Sequence, residues 1–424
     1  MEENAQQVQR YRPLSTAAGL GSMLGSACIV GLSATIPVWE AGLNLTVGQV
    51  GIVSGALTFA IAFGSLFTGQ ITKLFGLINS FNWANLFYAL GTVLIIFANN
   101  FSMLLMGAII MGFTSGADLP ISLSVVSHDS PDESTSAKLV SSTQIYWQIG
   151  VFISYIASFF MSGIEGLLGA RLVYVLLFAI AISTWIWRSK SKKIKQLHEE
   201  ADEREVIRSR DNETQETMSI KKLFTSGNNK FVKLFFAILV FYVFWNLLAN
   251  TWGQFQTYAL TNTGATQTQA TGLGIILNIV SLITTIIFSS VAGGKYRNIA
   301  FSVGFFIQLT AMLGMAIFAE QASFITLAIT IGLYNVGNPL AGEAIYKVWT
   351  QESFPSDARP AIQGFINGFS RMMCGLFAFV TPYLVAPERI QSTMYIFAGF
   401  VLIAGVSGFL MMRLQKKHLN IGGK

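Results

Sequence analysis

KSKKIKQLHEEADEREVIRSRDNETQE, residues 190–216, is a dense run of charge in a chain that is otherwise largely apolar. It decides the fold through what flanks it. Six apolar stretches precede it, centred near Cys28, Leu57, Ala89, Ile109, Val151 and Leu177. Six follow, centred near Val243, Asn278, Phe305, Ile331, Cys374 and Leu402. Each is close to the roughly 20 residues a helix needs to cross about 30 Å of hydrocarbon. The spacing predicts an all-α membrane protein with twelve transmembrane helices in two pseudo-symmetric six-helix bundles. The first bundle covers residues 1–187, a cytoplasmic linker residues 188–230, and the second bundle residues 231–424.

Composition points the same way. A chain with 52% hydrophobic and 11% charged residues and a mean hydropathy of +0.55 would precipitate as a soluble globule. The net charge of +6 is not a nucleic-acid signal, because the basic residues belong to alternate loops. With a cytoplasmic N-terminus, Arg10, Arg12, Lys73, Lys138, every Lys and Arg from Arg188 to Lys233, Lys295, Arg297, Lys347, Arg359, Arg413, Lys416, Lys417 and Lys424 fall inside. Only Arg171 and Arg389 fall outside, and Arg371 lies within a span. This is the positive-inside bias, so both termini are expected in the cytoplasm of a cell that carries the protein in its plasma or inner membrane. The first twelve residues are polar and the first apolar run is of full length, so no cleavable signal peptide is expected.

Cys28 and Cys374 sit within different spans and read as packing residues. His128, His198 and His418 fall in expected cytoplasmic loops at spacings unlike a zinc motif, and no metal or cofactor is expected. The hydrophilic segment begins with a basic run suited to anionic headgroups, and its remainder suits an amphipathic helix.

The two halves echo one another. SHDSPDESTSAKLVSSTQ (127–144) and TQESFPSDARPAIQG (350–364) both run from acid to proline, cation and glutamine. GQITKLFG (69–76) and AGGKYRN (292–298) occupy matching places. Such repetition is common in transporters built from duplicated halves.

On three segments the chain resembles the major facilitator superfamily, with the sugar-porter and inositol-transporter branches as the best likeness. Residues 39–76, WEAGLNLTVGQVGIVSGALTFAIAFGSLFTGQITKLFG, resemble a first outer loop, second helix and following loop motif. GADLP (116–120) resembles the Gly-x-Asp-x-Pro pattern on helix four. ESFPSDARPAIQGFINGFSR (352–371) resembles the Glu-x-Phe-Pro-x-x-x-Arg signature after helix ten. There are departures. Thr72 stands where the loop motif has Asp, and Gly76, Leu77 and Ile78 where it has a basic run. The Arg-Gly pair after helix four is missing, leaving Lys138, and Gly25 matches a helix-one position that often carries a proton-coupling Asp. The Gly-Pro motif of drug/proton antiporters is absent from helix five. The resemblance implies secondary active transport by alternating access.

Ionisable groups inside a span are expensive, at least about 3 kcal/mol on insertion scales, and so mark candidate sites. Asp118 on helix four reads either as a proton-coupling carboxylate or as half of a structural ion pair. Arg371 on helix eleven shares a stripe with Gln363 and Asn367. It reads as a ligand for a hydroxyl or carboxylate, or as the partner of Asp118 or Glu343. Glu343 is the second proton-coupling candidate, although an i,i+4 pair with Lys347 explains it equally well.

The binding candidates are amides and rings, since polyols are held by several hydrogen-bonding groups together with flat apolar surface. Helix seven offers Asn246, Asn250 and Gln254 in line with Tyr242, with Trp245, Trp252 and Gln256 beside them, and Gly253 as a point where the helix is expected to unwind. Helix five adds Gln144, Trp147 and Gln148. Helix eight adds Asn278, helix ten adds Asn335 and Asn338 in a Gly/Pro-rich kink, and helix eleven adds Asn367. Interhelical glue at about 0.6 kcal/mol per bond is the competing explanation for each.

The function expected is uptake of a sugar or polyol, cyclitols included, with proton coupling through Asp118. An organic anion held by Arg371 is the alternative within transport. A membrane-embedded enzyme or sensor is the remaining class, without a catalytic dyad or soluble domain to support it. The expected partners are one small polar solute, protons and the lipid bilayer, with no nucleic acid, and the working unit is taken as a monomer.

Overall fold

The computed structural model describes residues 2–211, 229–291, 296–318, 323–354 and 359–419. Residues 212–228 of the linker, residues 292–295 of the second-half loop echo, Pro355, Asp357 and Lys424 lie outside the described residues, as do the side chains of Lys138 and Gln144. The chain divides into two units, Met1–Gln215 and Glu216–Lys424.

The first unit contains α1 (Glu2–Leu43), α2 (Val47–Leu66), α3 (Thr68–Phe75), α4 (Leu77–Ile96), α5 (Phe101–Asp129), α6 (Glu133–Met161), α7 (Leu168–Lys190) and α8 (Lys192–Asp211). The second contains α9 (Asn229–Asn262), α10 (Gln267–Val291), α11 (Arg297–Phe318), α12 (Phe324–Leu340), α13 (Glu343–Ser353), α14 (Arg359–Leu384) and α15 (Ile390–Leu419). All twelve apolar stretches are helical, and the described residues contain no strand. Nine helices among the described residues are long and apolar enough to cross a membrane unaided. Of the others, α4 holds Asn79, Asn82 and Asn85, α14 holds Gln363, Asn367 and Arg371, and α6 contains an apolar stretch over Ile145–Met161.

The halves repeat a detail finer than the loop echoes. Asn44 and Gly264 both take positive φ, 51° and 100°, and end their helices in the left-handed conformation. Two residues later, Thr46 and Thr266 each exchange hydrogen bonds with a glutamine three residues on: Gln49 N to Thr46 Oγ1 at 3.2 Å and Thr46 N to Gln49 Oε1 at 2.9 Å, with the same two distances for Thr266 and Gln269. These reciprocal caps satisfy amides that a helix start leaves without partners, so α2 and α10 begin alike.

Helix faces divide by environment. On α10, Ile276, Ile279, Ile283, Ile286 and Ile287 are exposed at three-to-four-residue spacing, as are Ile325, Ile329 and Leu333 on α12. Apolar stripes of this extent suit lipid, because a soluble surface rarely tolerates them. Inward faces carry small residues instead. A Cβ at Gly116 of α5 would lie 2.0 Å from the Ile61 carbonyl oxygen of α2, so only glycine permits this crossing.

Three expectations need correction. Arg188 does not belong to the linker, because it lies in the last turn of α7 with its guanidinium buried inside the first unit. The histidines are not in loops: His128 lies in the last turn of α5, His198 in α8 and His418 in the last turn of α15. Gly253 does not unwind its helix, since α9 runs unbroken to Asn262; intrahelical bonds on both sides hold it. The break falls instead at residues 341–342, where Pro339 has removed a donor and Gly342 separates α12 from α13.

The linker helix α8 docks on the first unit. Ile194 and Leu197 join a buried cluster with Leu14 and Ala17 of α1, Phe81 of α4 and Ile121 and Val125 of α5. Polar contacts fix its register. Buried His198 is hydrogen-bonded through Nδ1 to the carboxylate of Asp129, which also meets His128 Nδ1 at 2.8 Å. Arg204 donates to the Asp129 carbonyl at 2.6 Å and to the Tyr11 hydroxyl at 3.1 Å.

Candidate functional site

Asp118 of α5 faces the guanidinium of Arg188. The pair is bidentate, with Nη1 2.7 Å from Oδ1 and Nη2 3.3 Å from Oδ2, and both side chains are almost fully shielded from solvent. Arg188 also donates to the carbonyl oxygens of Phe81 at 2.8 Å and Ala17 at 2.8 Å and to Ser122 Oγ at 3.2 Å, and it lies 3.9 Å over the Phe81 ring. Four helices, α1, α4, α5 and α7, therefore meet on one guanidinium, whose planar fork of donors matches this set. Gly21 of α1 makes room: a Cβ there would sit 1.9 Å from Asp118 Oδ2 and 2.5 Å from Arg188 Nη2. Arg188 was missed in the sequence; the one signal was TWIWRSK, in which indole rings carry the helix up to the cation.

On α6, which packs on α1, Trp147 and Gln148 are half-buried. Ser26 donates to the Trp147 carbonyl at 2.6 Å, and a Cβ at Gly25 would lie 3.5 Å from the Trp147 ring. The absence of a helix-one carboxylate thus lets an indole approach the α1 backbone. The Gln148 amide makes no hydrogen bond among the described residues.

In the second unit, the indole of Trp245 donates to Asn338 Oδ1 at 2.7 Å, and the Tyr334 hydroxyl donates to the same oxygen at 3.1 Å. Asn246 donates to Ser370 Oγ at 2.8 Å, tying α9 to α14. Tyr242 stacks on Tyr346 with centroids 4.0 Å apart and tilts against Trp245 at 5.3 Å. Arg371 is half-buried on α14, acts electrostatically on Tyr242, Glu343 and Cys374, and makes no hydrogen bond or ion pair among the described residues. A half-buried cation close enough to act on the Tyr242 ring hydroxyl can bind a polyol hydroxyl or a carboxylate.

The other expected residues are placed differently. Asn278 and Asn335 each donate to their own helix, to the Gly274 carbonyl at 2.8 Å and the Ile331 carbonyl at 2.9 Å. Gln254 donates to Asn250 Oδ1 at 3.3 Å. Trp252 is buried with its ring edge on Phe397 at 5.6 Å and its Nε1 unbonded. Asn367 is half-buried one turn before Arg371. Glu343 pairs with Lys347 at 3.0 Å, both side chains about half exposed, at the start of α13, where a carboxylate also suits the helix dipole. Tyr346, Tyr334 and Ser370 were not among the expected contacts; their aromatic and hydroxyl side chains sit at ordinary packing positions in the sequence.

Comparison with known proteins agrees with this architecture. The family profile of the Major Facilitator Superfamily matches residues 16–379. The chain is 27% identical over 411 residues to the minor myo-inositol transporter IolF of Bacillus subtilis (strain 168), covering 94% of this chain and 90% of that protein. Its fold superposes on the crystal structure of a D-xylose–proton symporter with a TM-score of 0.76 at 16% identity, covering 93% and 96% of the two chains. It superposes on the inward open xylose transporter XylE from E. coli with a TM-score of 0.74 at 15% identity, covering 93% and 94%. A multi-pass, all-helical chain of twelve spans with this match is a membrane transporter, not an enzyme, and it belongs to the Major Facilitator Superfamily.

Proposed function

We propose that this transporter takes up a neutral sugar or polyol, cyclitols included, by alternating access. Asn246, Asn250, Asn338 and Asn367, the rings of Tyr242 and Trp245, and Arg371 form its contacts in the second unit. The observation that carries the reading is the Asn338 side chain: its oxygen is held by Trp245 and Tyr334, which fixes the amide plane and leaves its Nδ2 to donate to a solute hydroxyl. A relative named for myo-inositol transport supports the same solute class. The termini are cytoplasmic by the distribution of Lys and Arg, and the membrane is the plasma or inner membrane. Coupling to protons runs through Asp118, the buried carboxylate that Arg188 holds in a bidentate pair.

Thermal stabilisation of the purified transporter by inositols, hexoses and carboxylates, followed by uptake into proteoliposomes, tests this reading, since a bound ligand raises apparent stability. Stabilisation by polyols is the expected result. A second reading, transport of an organic anion, draws on Arg371 making no direct ion pair among the described residues, Glu343 being paired with Lys347 instead. Stabilisation by carboxylates alone, abolished in Arg371→Ala, would establish that reading and remove the first. Unchanged proton-driven accumulation in Asp118→Asn would remove Asp118 from the coupling path.

A further inference from the structure

Between the first three turns of α11 and the last turns of α15, the second unit has an open groove of about 660 Å³. Its apolar wall is Ile299, Val303 and Phe306, all exposed on the face that the helices turn to lipid. From Ile299 to Phe306 the wall runs roughly 10 Å along the helix axis, enough for about the first half of an acyl chain. One end of the groove is polar. Arg413 and Lys416 of α15 line it, and neither makes an ion pair among the described residues. Glu352, an acid at the same ends of α11 and α15, is held by Arg297 at 2.6 Å and by Gln415 at 3.3 Å. Asn298, at the same mouth, has a buried side-chain oxygen with no hydrogen-bond partner.

Two cations without acids, an amide oxygen lacking a donor and an apolar wall leading away from them describe an amphiphile with an anionic head that also carries a hydroxyl. We propose that this groove binds one anionic phospholipid of the phosphatidylglycerol type. The phosphate sits on Arg413 and Lys416, a glycerol hydroxyl donates to Asn298, and one acyl chain lies along Val303 and Phe306. Charge complementarity selects this occupant over a zwitterionic lipid, whose ammonium would meet the same two cations. The site lies within the second unit and does not depend on which solute is transported.

Native mass spectrometry of the delipidated full-length protein, titrated with phosphatidylglycerol or phosphatidylcholine, tests the proposal. Arg413→Gln combined with Lys416→Gln is expected to weaken the tightest phosphatidylglycerol step about thirtyfold, from roughly fivefold per cation removed, and to leave phosphatidylcholine unaffected. A second measurement does not rely on that variant. Cys28 and Cys374 are buried, so Val303→Cys can be labelled selectively with a fluorophore. Brominated phosphatidylglycerol should quench it at mole fractions where brominated phosphatidylcholine does not. Equal affinity in the double variant, equal quenching by both lipids, or displacement by millimolar inorganic phosphate would each overturn the assignment, the last by showing a soluble-anion site.

Discussion

Arg188 Nη1 stands 2.7 Å from Asp118 Oδ1, where the two side chains are 0% and 4% exposed. Removing one member of such a pair leaves the other charge buried and uncompensated. Arg188→Ala is therefore expected to cost about 3–5 kcal/mol. Arg188→Met combined with Asp118→Leu should be less damaging than either single change, because the desolvation cost of both charges disappears. Thermal unfolding of the four proteins in a double-mutant cycle reads the coupling directly. Additive losses would mean that the pair does not act as a unit.

Gly21 is the small residue that admits this pair. A Cβ 1.9 Å from the carboxylate must displace it or α1, so Gly21→Ala is expected to lose about 1–3 kcal/mol, the range for overpacked sites. Gly253→Ala is the control, since a Cβ there meets nothing within 4 Å. If both variants unfold at the same temperature, the close approach of α1 to the ion pair is not what Gly21 provides.

The fold was legible because the length of an apolar run is a one-dimensional quantity, and twelve such runs around a charged segment leave little choice. The repeated caps at Thr46–Gln49 and Thr266–Gln269 were also written in the sequence, but they are recognised only once the preceding Asn44 and Gly264 are known to turn left-handed. Arg188 was hidden by its neighbours: a run of cations does not say which one turns back into the bundle, and the answer depends on Gly21, 167 positions earlier. The amides were equally ambiguous. Asn335 and Asn338 lie three residues apart on one helix, yet the first bonds its own backbone and the second gathers an indole and a phenol. The phenol, Tyr334, is one turn away on the same helix, but the indole comes from α9, which a linear reading cannot supply.

Asp129 anchors the linker helix. A hydrogen bond to a charged group contributes about 1.5–3 kcal/mol, and Asp129→Asn removes that charge from the contact with His198 without changing shape. Backbone amides of α8 should then exchange with deuterium roughly thirtyfold faster, the equivalent of about 2 kcal/mol. Amides of α2, which contributes no residue to the buried cluster that holds α8, supply the internal reference. Equal exchange in both proteins would show that α8 is held by Ile194 and Leu197 alone.

The amide of Asn338 is positioned by two donors on one oxygen, so their loss should be graded. Tyr334→Phe removes the longer bond and is expected to cost about 0.5–1.5 kcal/mol; Trp245→Phe removes the shorter one and should cost at least as much. Both together leave that oxygen without a donor, at about 1–3 kcal/mol for the lost satisfaction alone. If Asn338 holds solute, as proposed, the single variants should also raise KM for uptake in the same order, since an amide free to rotate presents its Nδ2 less often. Gly342→Ala tests the same geometry from the backbone side, because a Cβ there would lie 2.3 Å from the Asn338 carbonyl and 2.7 Å from Trp245 Nε1. Stability losses with an unchanged KM across the series would assign Trp245, Tyr334 and Asn338 to the packing of the helix break and take them out of the binding site.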